Sequence, residues 1–177
     1  MMPDPTNALL DLQRVLDAGT IQLSPGRLVP ELGFHFDRPH DAPRFTYALV
    51  KNGKVQAVAL FARAEPVAST ACFNIGYAVL RECQRAGLGT RMLSLALKEF
   101  THGLRNAGVP AVYVEAVVAV DNLPSNRLAK KLVDDTPKDE TDSYTGQLVR
   151  QYLRKIDLRP AGEAHSEPPK AGRNKPR

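Results

Sequence analysis

The stretch Gly76-Tyr77-Ala78-Val79-Leu80-Arg81-Glu82-Cys83-Gln84-Arg85-Ala86-Gly87-Leu88-Gly89-Thr90 turns an apolar run into an amphipathic one across a short loop that carries two glycines. Ahead of the loop, Ala71–Val79 reads as a strand. Behind it, Met92, Leu93, Ala96, Leu97, Phe100 and Leu104 recur at steps of three and four, so Gly87–Arg105 reads as a helix. A glycine loop lets successive backbone N–H groups converge. The first turn of the helix leaves further N–H groups without partners, and the macrodipole adds positive charge there. The junction is therefore an anion site suited to phosphate, with Arg81, Arg85 and Arg91 beside it.

Two common phosphate loops are excluded. A Walker loop needs Gly-Lys-Ser/Thr, and here Gly89 is followed by Thr90-Arg91. A dinucleotide fingerprint would place a third glycine where Met92 stands.

Outward from this centre the chain reads as a sheet with helices. Phe45–Val50 and Lys54–Ala62 are strand candidates, and the Asn52-Gly53 pair between them suits the positive φ angles of a tight type I′ hairpin turn. Gly108-Val109-Pro110 ends the helix, and Ala111–Val120 is a nearly continuous apolar strand. Asn122–Val133 is a second helix, with Asn122 as its cap and Pro124 in its first turn. Val133–Ser143 reads as polar loop, and Gln147–Ile156 as a last strand. Near the front, Thr6-Asn7 is placed to cap a short helix over Ala8–Asp17. Residues 20–43, with Pro25, Pro30, Pro39 and Pro43, read as irregular.

The spacing Gln84-x-x-Gly87-x-Gly89 resembles the coenzyme A pyrophosphate loop of the GNAT superfamily, and Ile75–Val79 resembles that family's fourth strand. Val114-Glu115-Ala116, followed by Asn122-x-x-Ser125-Asn126-Arg127-Leu128-Ala129-x-Lys131-Leu132, resembles its fifth strand and next helix. The likeness is nearest to the subgroup that acetylates protein N-termini, including those of ribosomal proteins. It covers about Phe45–Ile156. One departure is plain: where the family has Gly-Phe after that helix, this chain has Val133-Asp134-Asp135.

The resemblance implies an α/β (α+β) fold: a mixed, mostly antiparallel sheet with a splayed central strand pair, flanked by helices. It implies acetyl-coenzyme A as cosubstrate, held by Val79, Leu80, Gln84, Arg85, Ala86, Gly87, Leu88, Gly89, Thr90 and Asn122. A backbone N–H at Leu80 would polarise the thioester carbonyl. Glu115, in an otherwise apolar run, would take the proton of the attacking amine. Ser125 or Tyr144 would return a proton to the departing thiolate. Each has a plainer role open to it: Glu115 an outward or paired carboxylate, Ser125 a capping residue, Tyr144 a strand-edge aromatic. Glu82 reads as a solvated neighbour of the loop.

Composition bounds the rest. The 177 residues fit one domain, taken as 1–158, and a hydrophobic fraction of 43% is ample for one core. The apolar runs fall short of the ~20 residues that a spanning helix needs. The start MMPDPTNALL lacks a secretory pattern, so the expected location is the cytoplasm and no membrane partner is expected. Cys72 and Cys83 form neither a disulfide framework nor, with the scattered histidines, a metal site. Much of the net charge of +5 sits in residues 159–177, where five basic residues face two acidic ones. That proline-bearing segment holds no apolar side chain larger than alanine and reads as a disordered basic tail, the one place where nucleic acid would bind. The expected acceptor is an amine, on a protein N-terminus or a small molecule, and the expected state is monomer or homodimer. Two other functions fit the same residues: a coenzyme A-binding module without catalysis, and a toxin-type acetyltransferase acting on aminoacyl-tRNA.

Overall fold

The computed structural model describes residues 5–142 and 145–159. Helix α1 (Pro5–Asp17) opens the chain. Strands β1 (Ser24–Pro25), β2 (Leu32–Asp37), β3 (Arg44–Lys51), β4 (Lys54–Val67) and β5 (Thr70–Val79) follow, each antiparallel to the one before. Then come α2 (Leu88–Asn106), β6 (Ala111–Ala119), α3 (Leu123–Leu132), β7 (Lys138–Thr141) and β8 (Leu148–Asp157). The eight strands form one mixed, mostly antiparallel sheet in the order β1-β2-β3-β4-β5-β6-β8-β7.

One junction in that sheet differs from the others. β5 and β6 are parallel, and they pair only at Cys72↔Tyr113, Phe73↔Val114 and Asn74↔Glu115. Beyond Asn74 the strands part, although β5 runs on to Val79 and β6 to Ala119. β5 stays paired to β4 as far as Ala57↔Val79, and β6 stays paired to β8 as far as Ala119↔Val149. The sheet is therefore held on both flanks of an open wedge. This is the splayed central pair that the sequence resemblance implies.

Both faces of the sheet are covered in part. The main core lies under α2 and α3, where Phe61 stacks on Phe100 at 4.2 Å between ring centroids and Phe45 and Phe73 meet Phe100 edge-on. A smaller core, with Leu9, Leu12, Val55, Val58 and Ala78, lies under α1 on the other face. Asn52 and Gly53 have φ of +52° and +75°, the tight turn expected between β3 and β4.

Three readings need correction. Thr6 and Asn7 lie inside α1, which starts at Pro5, so they do not cap it. Residues 20–43 are not irregular throughout: they hold β1 and β2. Pro30 and Pro39 flank β2, while Phe34 and Phe36 alternate along it and pack, rings tilted, against Tyr47 and Phe45 of β3. Residues 133–143 include β7, whose exposed side chains carry no apolar signal. It is held by its ladder to β8 and by an Arg150–Asp139 ion pair at 3.2 Å. The proposed tail falls almost wholly on residues 160–177, outside the described residues. No helix among the described residues is long and apolar enough to cross a membrane.

Candidate functional site

A cleft of about 1060 Å³ runs from the loop after β5 into the wedge. Gln84, Arg85, Gly87, Leu88, Gly89 and Thr90 form its entrance. Tyr77, Val79 and Leu80 of β5 form one wall, and Asn122, Pro124 and Ser125 at the start of α3 form another. Thr6, Leu9 and Leu10 of α1 line it too, although α1 covers the opposite face of the sheet from α2 and α3. The cleft thus reaches the wedge from both faces, which a fully paired β5–β6 ladder would block.

The entrance is built for an anion. Arg85 and Gly87 take positive φ values of +65° and +72°, which turns successive N–H groups toward one side. Gly87 occupies the N-cap position of α2, and no side chain caps that helix. The first helical bond is Arg91 N–H to Gly87 O, so the N–H groups ahead of it have no partner within the helix. Arg81, Arg85 and Arg127 line the cleft, and among the described residues none has an ion-pair partner. Arg91, expected beside the loop, instead pairs with Glu31 at 2.5 Å, and it does not line the cleft. Ala86 is exposed and lies outside the lining. The Gln84 side chain donates to Val79 O at 3.1 Å, so it fastens the loop to the strand. Glu82 pairs with Lys54, which holds its carboxyl below the usual carboxylate range.

The backbone of β5 determines which donors face the wedge. Leu80 N–H donates to Gln56 O at 2.8 Å. That bond spends the donor expected to polarise a thioester, so the role does not fall to Leu80. It also sets the alternation along the strand: Val79 and Ala57 are a non-hydrogen-bonded pair, and the N–H groups of Val79 and Tyr77 point away from β4, into the wedge.

The candidate proton-transfer groups separate. Ser125 sits in the first turn of α3. Its N–H donates to the Asn122 cap at 3.2 Å, and its hydroxyl lies 3.1 Å from the Tyr77 hydroxyl across the wedge. Sequence reasoning treated Tyr77 only as strand. A tyrosine between apolar residues directly ahead of the phosphate loop was the available signal. Glu115 does not line the cleft. It stands half-buried at the last paired rung, opposite Asn74, and accepts a hydrogen bond from Gln151 Nε2. Burial pushes the neighbouring Cys72 thiol up to about 11, and the Glu115 charge adds to that shift. Tyr144 lies outside the described residues.

Two further polar side chains hold the frame. Asn126, buried, donates to Ala119 O at 2.8 Å and Asn122 O at 2.9 Å, and accepts from the Tyr152 hydroxyl at 2.7 Å. This ties α3 to β6 and β8, and so fixes the far wall of the wedge. Glu99, also buried, accepts from the N–H groups of Arg27, Leu28 and Val29 at 2.6, 2.8 and 2.8 Å, which ties the segment before β2 to α2. Among the described residues no cluster of three or more His, Cys, Asp or Glu side chains is placed to hold a metal.

The family model described as the Acetyltransferase (GNAT) family matches residues 12–133. No curated protein sequence matches the chain. Among solved structures, the ribosomal L7/L12 alpha-N-protein acetyltransferase in complex with coenzyme A is 21% identical, with a TM-score of 0.47 over 66% of this chain and 64% of that one. The acetyltransferase from Salmonella typhimurium that modifies the N-terminal serine of L7/L12 is 21% identical, with a TM-score of 0.46 over 64% of each chain. The ribosomal-protein-S18-alanine N-acetyltransferase from Escherichia coli is 22% identical, with a TM-score of 0.42 over 70% of this chain and 75% of that one. The chain spans 64% of the length of the first two of these structures.

Proposed function

The chain belongs to the acetyltransferase (GNAT) family, and from that premise we propose that it moves an acetyl group from acetyl-coenzyme A to a primary amine, on a protein N-terminus or a small molecule. The observation that carries this reading is the wedge between β5 and β6. It is continuous with an uncapped helix N-terminus and reached from both faces of the sheet. A pyrophosphate fits the entrance, where loop N–H groups and the cations Arg81 and Arg85 meet it, with Arg127 of α3 elsewhere in the same lining. A pantetheine arm, which is itself amide-bearing and extended, fits beside the unpaired edge of β5.

The chemistry follows from what faces the wedge. Attack by the amine on the thioester builds negative charge on the carbonyl oxygen. The N–H of Tyr77 or Val79, fixed by the β4–β5 ladder, is oriented to meet that charge. A donor so placed lowers such a barrier by about 3 kcal/mol. Glu115, at the closed end of the wedge and outside the cleft lining, takes the amine's proton through water, with Gln151 hydrogen-bonded to its carboxylate. A hydroxyl route through Ser125, on the α3 wall, returns a proton to the leaving sulfur.

Calorimetry with coenzyme A and acetyl-coenzyme A tests the premise, and thiol release with a panel of amines and N-terminal peptides tests the transfer. Binding of neither compound would overturn the whole reading. Tight binding without thiol release for any acceptor would instead favour a non-catalytic coenzyme A module. Acetylation confined to charged tRNA and lost on removal of residues 159–177 would favour a toxin-type acetyltransferase acting on aminoacyl-tRNA.

A further inference from the structure

We infer that Tyr77 is the proton donor to the leaving thiolate, acting with Ser125 as a hydroxyl couple. The inference rests on the acetyl-transfer reading above and names a residue for its last step.

Two observations put Tyr77 there. Its hydroxyl lies 3.1 Å from Ser125 Oγ, so the side chain reaches from β5 across the open wedge to α3. Both residues line the cleft, Tyr77 from β5 and Ser125 from α3. The ring is also positioned from below: a Cβ built on Gly89 would stand 3.1 Å from Tyr77 Cε2 and 3.5 Å from Val79 Cγ2. Glycine at this point of the phosphate loop leaves the room that the tyrosine ring occupies. The opposite member is fixed as well, because the Asn122 cap holds the Ser125 backbone.

Acidity decides which hydroxyl is the source of the proton. An ordinary phenol titrates near 10 and an ordinary thiol near 8.5, so a phenol gives its proton to a thiolate against a factor of only about 30. An aliphatic hydroxyl is a far weaker acid, and Ser125 alone faces a much steeper transfer. The pair removes that difficulty. As the carbon–sulfur bond breaks, its electron pair goes to sulfur. Ser125 passes its proton to the thiolate and takes the proton of Tyr77, or Tyr77 gives its proton directly. The phenolate left on Tyr77 is then reprotonated by water. The amine's own proton leaves by a separate route, through water to Glu115, and nothing is oxidised or reduced.

The test uses coenzyme A itself and needs no knowledge of the acceptor. The thiolate of bound coenzyme A is followed by ultraviolet absorbance as pH is raised, for the wild type, Tyr77→Phe and Ser125→Ala, with affinity measured by calorimetry. A hydroxyl donated to sulfur favours the thiolate. Removing it in Tyr77→Phe is expected to raise the midpoint of the bound thiol by about one unit, a tenfold effect, with coenzyme A affinity within about threefold. Turnover of any acceptor found by the amine panel is expected to fall about 100-fold. An unchanged midpoint in Tyr77→Phe with coenzyme A bound overturns the role of Tyr77, as does a shift in Ser125→Ala alone, which would leave serine acting without it. Absence of coenzyme A binding to the wild type overturns the acetyl-transfer reading itself and this inference with it.

Discussion

Replacing Glu99 tests how the front of the chain is held to the body. The carboxylate is buried and takes three backbone N–H groups: Arg27 on Oε1, and Leu28 and Val29 on Oε2. In Glu99→Gln the amide oxygen can keep the Leu28 and Val29 pair. The amide nitrogen then faces the Arg27 N–H and leaves it unpaired. One charge-assisted bond is lost and two become neutral. At ~1.5–3 kcal/mol for a bond to a charged group, less the smaller desolvation of an amide, the expected loss is about 2 kcal/mol. Glu99→Ala strands all three donors, and because the segment can open to water its cost levels off near ~4 kcal/mol. For a domain of this size those losses lower the midpoint of thermal unfolding by about 2–4 °C per kcal/mol. Urea unfolding followed by circular dichroism measures the loss directly, with the m-value expected to stay constant. A local check accompanies it. A Cβ on Gly26 would stand 2.4 Å from Val29 O and 3.0 Å from Glu99 Oε2. Gly26→Ala should therefore destabilise the wild type more than it destabilises Glu99→Ala, where the segment is already released. A second check reads the charge: Tyr47 is held above its ordinary value by burial and, after that, by Glu99, so Glu99→Gln should bring the tyrosine down. If Glu99→Gln stays within about 0.5 kcal/mol of the wild type, the carboxylate is not the anchor described here.

The two loop glycines should fail for different reasons. Gly87→Ala meets no atom within 4 Å but is strained by its φ of +72°, and is expected to lower stability by about 1 kcal/mol; Gly89→Ala presses on the Tyr77 ring, and Gly89→Glu should abolish coenzyme A binding by calorimetry. Amide exchange should be fast at Tyr77 and Val79 in the free protein and slow once coenzyme A is bound, while Phe73 stays protected throughout; equal protection of all three in the free protein would contradict the open wedge. Cys72 keeps its proton to about pH 11 when folded, whereas the unfolded thiol loses it near 9. In that window the unfolded chain binds fewer protons, so stability should fall as pH rises from about 9 towards 11, read by urea unfolding at stepped pH. Alkylation at pH 8 should label Cys83 and spare buried Cys72 until urea unfolds the chain, and equal labelling of both thiols would refute the burial.

Legibility in the sequence followed side-chain pattern, and it ran out where backbone or single polar groups did the work. The hairpin at Asn52-Gly53, the α2 stripe and the Asn122 cap could be read because each leaves a residue-type signature at a fixed spacing. β7 left none, since all four of its side chains are exposed and its order comes from pairing to β8. β2 was hidden by prolines that bracket it rather than break it. At the site, the loop from Gln84 to Thr90 was legible as a cradle. The loss of the Leu80 donor was not, because which N–H faces outward depends on register against β4, and one residue of slip exchanges the two sets. Tyr77 was visible only as an aromatic in a strand, since its partner Ser125 lies 48 positions away. Glu99 could have been found: it falls three residues after Ala96 on the inward stripe of α2, where an unpaired carboxylate would be costly.

The wedge, the phosphate cradle at its mouth and the facing hydroxyls share one cause, which is the early end of the β5–β6 ladder. Three rungs close the sheet at Asn74, and above them two strands keep their outer partners but not each other. A wedge of that kind exposes donors whose satisfaction must come from elsewhere. It survives only if its walls are fixed by other means. β4 and β8 provide that on the two flanks, and the Asn126–Tyr152 bond holds α3 to the β8 side. Gly89 and the Asn122 cap bring the two hydroxyls together across the opening. The phosphate cradle at Gln84–Thr90 is then the outer mouth of the same opening, since the strand that stops pairing at Asn74 is the one that leads into it. Anion binding and thioester chemistry are thus joined by geometry, because a ligand gripped at the helix N-terminus has one continuous path inward, along the unpaired edge of β5 to Tyr77.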